Sequence, residues 1–143
     1  MSKFDFSNYN STFSWRYGSD EMRKIFSEEN KYKIWRKIWV ALARAENKAG
    51  LVSNEELDDL EKQKDNIDID KILENEKETK HDVVAAIREF ADKAKIGGGK
   101  VHLGATSMDI VDNTDAIRVK EALQIIEEKI KNLLKTLSVK IEK

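Results

Sequence analysis

The sequence predicts an all-α chain, a small helical unit followed by one long helix. Three observations carry that expectation. Proline is absent and glycine is held to six among 143 residues, so little interrupts a helix. Charged residues reach 37%, enough to clothe helices in solvated flanks. Apolar residues recur at spacings of three and four, the period of a single buried helix face. The length suffices for one domain with a real core.

The elements follow in order. A short first helix is expected near Asp20 to Phe26, with Ser19 as N-cap ahead of two acids. The second runs from Glu28 to Ala49 behind Ser27. Its buried face reads Tyr32, Trp35, Ile38, Trp39, Leu42, Ala45 and Ala49, and Gly50 supplies the stop. The third opens at "SNEE", where Ser53 and Glu56 have capping-box spacing, and Leu57 and Leu60 give it a thin apolar face. The polar segment "KQKDNIDIDKILENEKETK" is expected to hold only one or two short turns. A fourth helix is expected from Thr79 as cap, with Asp82 at its third position. Val83, Val84, Ile87, Phe90, Ala91 and Ala94 would form its buried stripe, and Gly97 would end it.

The fifth helix starts after Thr106 or Ser107 and shows no stop signal before Lys143. Ala116, Val119, Leu123, Ile126, Ile130, Leu133 and Leu137 alternate steps of three and four, a heptad seam. Such a helix is a rod of roughly 50 Å, too long for the small helices before it to cover. The seam therefore calls for partner helices, from another chain or from sequence beyond this one, and the chain reads as the N-terminal piece of something larger. A domain boundary is expected near residue 105, dividing a helical unit over 1–105 from the start of a long-helix bundle over 106–143.

Composition excludes several function classes. With 26 basic and 27 acidic residues the net charge is −1, so the chain lacks the basic field that nucleic acid requires. It has no cysteine, hence neither disulfide nor thiolate metal site, which suits a reducing compartment such as the cytoplasm. Two histidines without cysteine give no structural zinc set, and no metal or cofactor is expected. The start, "MSKFDFSNYNSTFSWRYG", has no apolar leader core and reads as a frayed polar arm. No apolar run approaches the ~20 residues of a membrane span.

Chemistry concentrates at three places. In "TKHDVV", Lys80, His81 and Asp82 crowd a helix start, where exposed amides favour anions and keep an imidazole neutral. The bland reading of the same residues is a solvated N-terminus. In "GGGKVHLGATSMDIVDNTD", His102 precedes Thr106 and Ser107. Their hydroxyls and the free amides of the next helix could receive a carboxylate, or simply cap the helix. In "WRYGSDEM", Arg16 can grip phosphate or carboxylate bidentately and Tyr17 adds a hydroxyl and a ring, unless both only decorate a surface arm.

Taken together and in order, "RYGSDEM", "ETKHDVVAAI" and "KVHLGATSMDIVDN" resemble the adenylosuccinate lyases of the fumarase/aspartase superfamily, from about Arg16 to Lys143. The third motif is the most specific. The resemblance implies that Arg16 and Tyr17 contact the nucleotide, Arg16 near its phosphate. It implies that Lys80, His81 and Asp82 line the substrate pocket, with His81 near the reacting centre to orient substrate or move a proton. His102 would lie near the phosphate or position substrate, and Thr106 and Ser107 would hold a succinyl carboxylate. The implied reaction is β-elimination of fumarate from adenylosuccinate or from the succinylated aminoimidazole carboxamide ribotide of purine synthesis, without a metal.

The implied assembly is a homotetramer with active sites shared among three subunits, whose helix bundle would cover the seam. The family's usual general acid and base lie farther along the chain than Lys143, so these residues alone are not expected to turn substrate over. Within the superfamily the alternatives are another fumarate-releasing lyase or a carboxymuconate cycloisomerase. The "TKHDV" and "HLGATS" contexts differ from argininosuccinate lyase motifs. From a different class, a non-enzymatic helical oligomerisation module would keep the scaffold without bringing these side chains together.

Overall fold

The structure, a computed structural model, describes Ser7 and residues 9–141. Among them the α-helices are α1 (Asp20–Ile25), α2 (Glu28–Lys48), α3 (Asn54–Gln63), α4 (Ile69–Thr79), α5 (Asp82–Lys93) and α6 (Ser107–Ile141). A π-helical turn over Phe13–Tyr17 precedes α1, and a 3-10 turn over Gly98–Lys100 follows α5. Part of the polar arm expected at the start, and the end of the rod at Lys143, lie outside the described residues.

Local chemistry explains most boundaries. The Ser19 hydroxyl accepts from the Met22 amide and starts α1 beside Asp20 and Glu21. The capping box of α3 is complete: Glu56 N–H donates to the Ser53 hydroxyl, and Ser53 N–H donates to the Glu56 carboxylate at 2.8 Å. Gly50 ends α2 at φ 76°. Leu51 N–H donates back to the Glu46 carbonyl and Gly50 N–H to the Asn47 carbonyl, the two bonds of a Schellman stop.

Three expected helix boundaries are corrected. The polar segment after α3 holds a full helix, α4, of 11 residues. Asp68 caps it by accepting from Lys71 N–H, and Ile72 buries against the core. Ile69 and Ile72, with Ile67 just before the cap, suffice to bury one side of a mostly polar helix, because α5 packs along it.

Secondly, Thr79 does not cap the next helix. It is the last residue of α4, its hydroxyl donates to the His81 carbonyl, and His81 itself caps α5 with Asp82 at the first position. Thirdly, the glycines do not terminate α5, which stops at Lys93. Gly97 and Gly98 are needed for close approach. A Cβ on Gly97 would overlap the Glu56 carbonyl, and one on Gly98 would lie 2.6 Å from the Ala91 carbonyl oxygen. Asp59 of α3 pins this turn by accepting from Ile96 and Gly97 N–H at 2.7 and 3.0 Å.

The chain divides into two compact units, Glu28–Asp115 and Met1–Ser27 with Ala116–Lys143. In the first, Tyr32, Trp35, Trp39, Leu60, Ile72, Val83, Phe90, Val101 and Ile110 form one buried cluster. Each large apolar side chain so buried contributes about 1.5–3 kcal/mol. The buried face of α2 is turned from the expected stripe. Ala45 and Ala49 are exposed, while Val40, Ala43 and two charged residues, Arg36 and Glu46, are inside.

In the second unit Arg118 of α6 donates to the carbonyls of Ile25 and Phe26 at 3.3 and 2.9 Å and lies over the Phe26 ring. Beyond that, the expected seam is bare. Val119, Leu123, Ile126, Ile130, Leu133 and Leu137 are all exposed.

Candidate active site

The Lys80–His81–Asp82 group sits at the α4–α5 corner. Lys80 ends α4 in the left-handed region, at φ 54° and ψ 27°, with its N–H on the Glu76 carbonyl at 2.8 Å. That conformation turns the chain sharply enough for α5 to begin two residues later. Thr79 fixes the corner from both sides, because its hydroxyl also accepts from His81 N–H.

His81 Nδ1 faces the Val84 amide at 3.5 Å and the Asp82 carboxylate at 3.5 Å. Asp82 accepts from Val83 N–H at 2.7 Å. The His81 and Asp82 side chains remain half exposed, 46% and 50%, so the corner presents an ammonium, an imidazole and a carboxylate to solvent.

His102 lies on the strap between the 3-10 turn and α6. Its backbone is left-handed, φ 67°, as is Gly104 at 66°. Val101 beside it is buried and anchors the strap. Trp39 Nε1–H donates to His102 Nδ1 at 3.1 Å. Beneath, rings stack edge to face from Tyr32 through Trp35 to Trp39, with centroids 5.3 and 5.9 Å apart, and Trp39 meets His102 at 6.3 Å. Burial holds the His102 imidazole below its ordinary value of 6.5. Asp109 opposes that shift and His81 reinforces it, so His102 responds to charge at both of its polar neighbours.

Thr106 and Ser107 stand where α6 begins. Asp109 folds back so that Thr106 N–H donates to its carboxylate at 2.8 Å. One amide of this helix start is therefore taken by the chain's own acid. The Thr106 and Ser107 hydroxyls hydrogen-bond to no other described residue. Asp109 N–H donates to the Thr106 carbonyl at 3.1 Å, while the Ser107 and Met108 amides have no intrahelical acceptor. Arg16 and Tyr17 belong to the other unit. They lie in the π-helical turn, Arg16 over the Trp15 ring at 4.5 Å and Tyr17 exposed. Arg23 of α1 ties that turn down by donating to the Ser14 carbonyl at 2.7 Å and to the Gly18 carbonyl.

The structure thus brings Lys80, His81 and Asp82 to one corner, couples His102 electrostatically to His81, and pairs Thr106 with Ser107. Sequence reasoning missed Trp39 as the partner of His102. Sixty-three residues separate them, and no local pattern links a core tryptophan to a loop histidine. It also missed the role of Asp109, although the Thr-x-x-Asp spacing of a capping box was there to read.

The family model described as "Lyase" matches residues 15–143. The chain belongs to this lyase family. It is 41% identical over 131 residues, 90% of its length, to the adenylosuccinate lyase of Methanocaldococcus jannaschii. It is 37% identical over 138 residues, 94% of its length, to that of Saccharomyces cerevisiae, and 38% identical over 126 residues, 88% of its length, to that of Archaeoglobus fulgidus. It spans 28%, 29% and 28% of those relatives. The matched segment includes every candidate residue from Arg16 to Ser107. As a family member the chain is all-α in its described residues, and no helix among them is long and apolar enough to cross a membrane.

Proposed function

We propose that this chain is the N-terminal part of an adenylosuccinate lyase, and that the whole protein eliminates fumarate from adenylosuccinate and from the succinylated aminoimidazole carboxamide ribotide. The observation that carries the reading is 41% identity over 90% of the chain to a relative bearing that name. It is supported by the polar corner at Lys80–Asp82 and by unspent donors at the start of α6.

In this reading Arg16 and Tyr17 hold the nucleotide part, the guanidinium on the phosphate. Lys80 and Asp82 line the pocket. His81, half exposed beside a carboxylate, orients the succinyl group or carries a proton. Thr106 and Ser107 donate to a succinyl carboxylate, whose charge grows as the neighbouring carbon loses its proton. His102 donates to an anionic oxygen of substrate. The principal acid and base come from chain beyond residue 143, with no metal or cofactor. Residues 1–105 form the N-terminal domain and 106–143 begin the central bundle. The whole protein is a cytoplasmic homotetramer whose shared sites bring these groups together, and its ligands are purine nucleotides rather than nucleic acid or membrane.

The test is fumarate formation from adenylosuccinate by the full-length protein, wild type beside His81→Ala and Ser107→Ala. Each substitution is expected to lower kcat/KM by a factor of about 100 or more, equivalent to about 2.7 kcal/mol of transition-state stabilisation. The isolated 143-residue chain is expected to release no fumarate. Unchanged turnover in both variants would remove this region from the active site.

A further inference from the structure

We propose that Trp39 is a positioning residue, which holds His102 in the tautomer protonated at Nε2, so that the imidazole meets an anionic oxygen of substrate only as a hydrogen-bond donor. The substrate half of this rests on the lyase reading above. The tautomer half stands on geometry.

An indole Nε1–H can donate and cannot accept. Its partner at 3.1 Å is His102 Nδ1, which must therefore keep its lone pair. In the neutral ring the proton then sits on Nε2. Trp39 has no freedom to release the bond. It is 2% exposed, held edge-on by Trp35 at an interplanar angle of 71° and packed against Phe90 with centroids 6.1 Å apart. The histidine is constrained from its own side as well. Its backbone is left-handed, φ 67°, between the buried Val101 and the left-handed Gly104. The indole and imidazole meet edge to face at 88°, with the Nε1–H on Nδ1 at hydrogen-bond distance.

An unrestrained histidine samples both tautomers and can accept a proton at Nε2 or donate there. A histidine held at Nδ1 keeps only the donor role. The titratable groups whose charge acts on it are the Asp109 carboxylate from the first turn of α6 and the His81 imidazole from the start of α5. Neither offers Nε2–H a hydrogen bond among the described residues. The position left open suits an oxygen bearing negative charge, carried by a phosphate or a carboxylate.

Trp35 supplies an internal control. It is as deeply buried as Trp39, yet its Nε1 has no hydrogen-bond partner among the described residues. Replacing either ring by phenylalanine removes similar volume, but only Trp39→Phe removes a hydrogen bond.

The test is the long-range nitrogen–proton spectrum of the histidine side chains in nitrogen-15-labelled full-length protein, at a pH where His102 is neutral. The expected result is a bare Nδ1 and a protonated Nε2 in wild type and in Trp35→Phe, with mixed tautomers in Trp39→Phe. A protonated Nδ1 in wild type overturns the proposal whether or not any variant folds. An unchanged tautomer in Trp39→Phe overturns the role of Trp39.

Adding inorganic phosphate or fumarate separately identifies which oxygen meets Nε2–H, and a His102 resonance that responds to neither overturns the donor role. In fumarate release, Trp39→Phe is expected to lower kcat/KM on the order of tenfold while Trp35→Phe leaves it near wild type. Equal losses in both would mark packing alone. If wild type releases no fumarate from adenylosuccinate, the lyase reading fails while the tautomer result still stands on the spectrum.

Discussion

Lys80 and His102 are the two non-glycine residues with positive φ among the described residues, at 54° and 67°. Both carry side chains proposed to face substrate. Left-handed backbone costs a residue with a Cβ about 1–2 kcal/mol, and such positions gather where function over-determines the conformation. Lys80→Gly would relieve the strain at the corner and remove the ammonium. Thermal unfolding is expected to show a variant at least as stable as wild type, by up to about 1 kcal/mol, while fumarate release falls. A variant that is clearly less stable would mean that the Lys80 side chain supports the fold.

His102 adds a pH dependence whose sign is fixed by its burial. Its imidazole is harder to protonate in the folded chain than in the unfolded one, where it titrates near 6.5. The unfolded state therefore binds the proton first as pH falls, and folding stability is lost below about 6.5 and regained above it. Urea unfolding at about pH 5.5 and about pH 7.5 should show a larger loss on acidification in wild type than in His102→Gln. An equal loss in both would contradict the burial argument.

At the scale of elements, α2, α4 and α5 are joined by one buried ion pair. Arg36 donates to Glu89, with side chains 2% and 1% exposed. The other Glu89 oxygen accepts from the N-cap amide of α4, Asp68 N–H, at 3.0 Å. The guanidinium also covers the Phe90 ring at 3.5 Å. Burial pushes Arg36 down to about 10, against the pull of Glu89, so the guanidinium stays charged at neutral pH. Removing one partner strands the other. Glu89→Ala is expected to cost about 3–5 kcal/mol by urea unfolding, and Arg36→Met with Glu89→Leu to recover most of it. A double variant no better than the single one would show that the charges themselves are required.

This pair also shows where the sequence is legible. The starts of α1, α3 and α6 could be read almost to the residue, because Ser19, the Ser53–Glu56 box and Thr106–Ser107 are local signals. Helix α4 was hidden because its apolar side is a few isoleucines among charges, and its helicity depends on packing against α5. The burial of Arg36 and Glu89 was illegible for the same reason. Their contact joins positions 53 residues apart, and each looks like a solvated charge on its own helix. The candidate residues were legible as residues; Trp39, which holds His102, was not, and Thr79, which holds His81, was read as a cap of the wrong helix.

On the scale of the whole molecule, α6 exposes Leu123, Ile126, Ile130, Leu133, Leu134 and Leu137 along its far half. A contiguous apolar face of that length marks an interaction surface, and the homotetramer proposed above would cover it. Leu123→Glu with Leu133→Glu is expected to lower the oligomeric state in sedimentation without unfolding α2–α5, whose core lies in the other unit. An unchanged sedimentation coefficient would place the interface elsewhere.

If the Lys80–Asp82 corner and the α6 start serve a succinylated purine nucleotide, as proposed, the decisive measurement is kcat/KM of the full-length protein for adenylosuccinate, compared with argininosuccinate and carboxymuconate. Fumarate release from adenylosuccinate is expected, with a preference of several orders of magnitude over either competitor. Preference for another substrate, or no elimination from adenylosuccinate by well-folded protein, would contradict it.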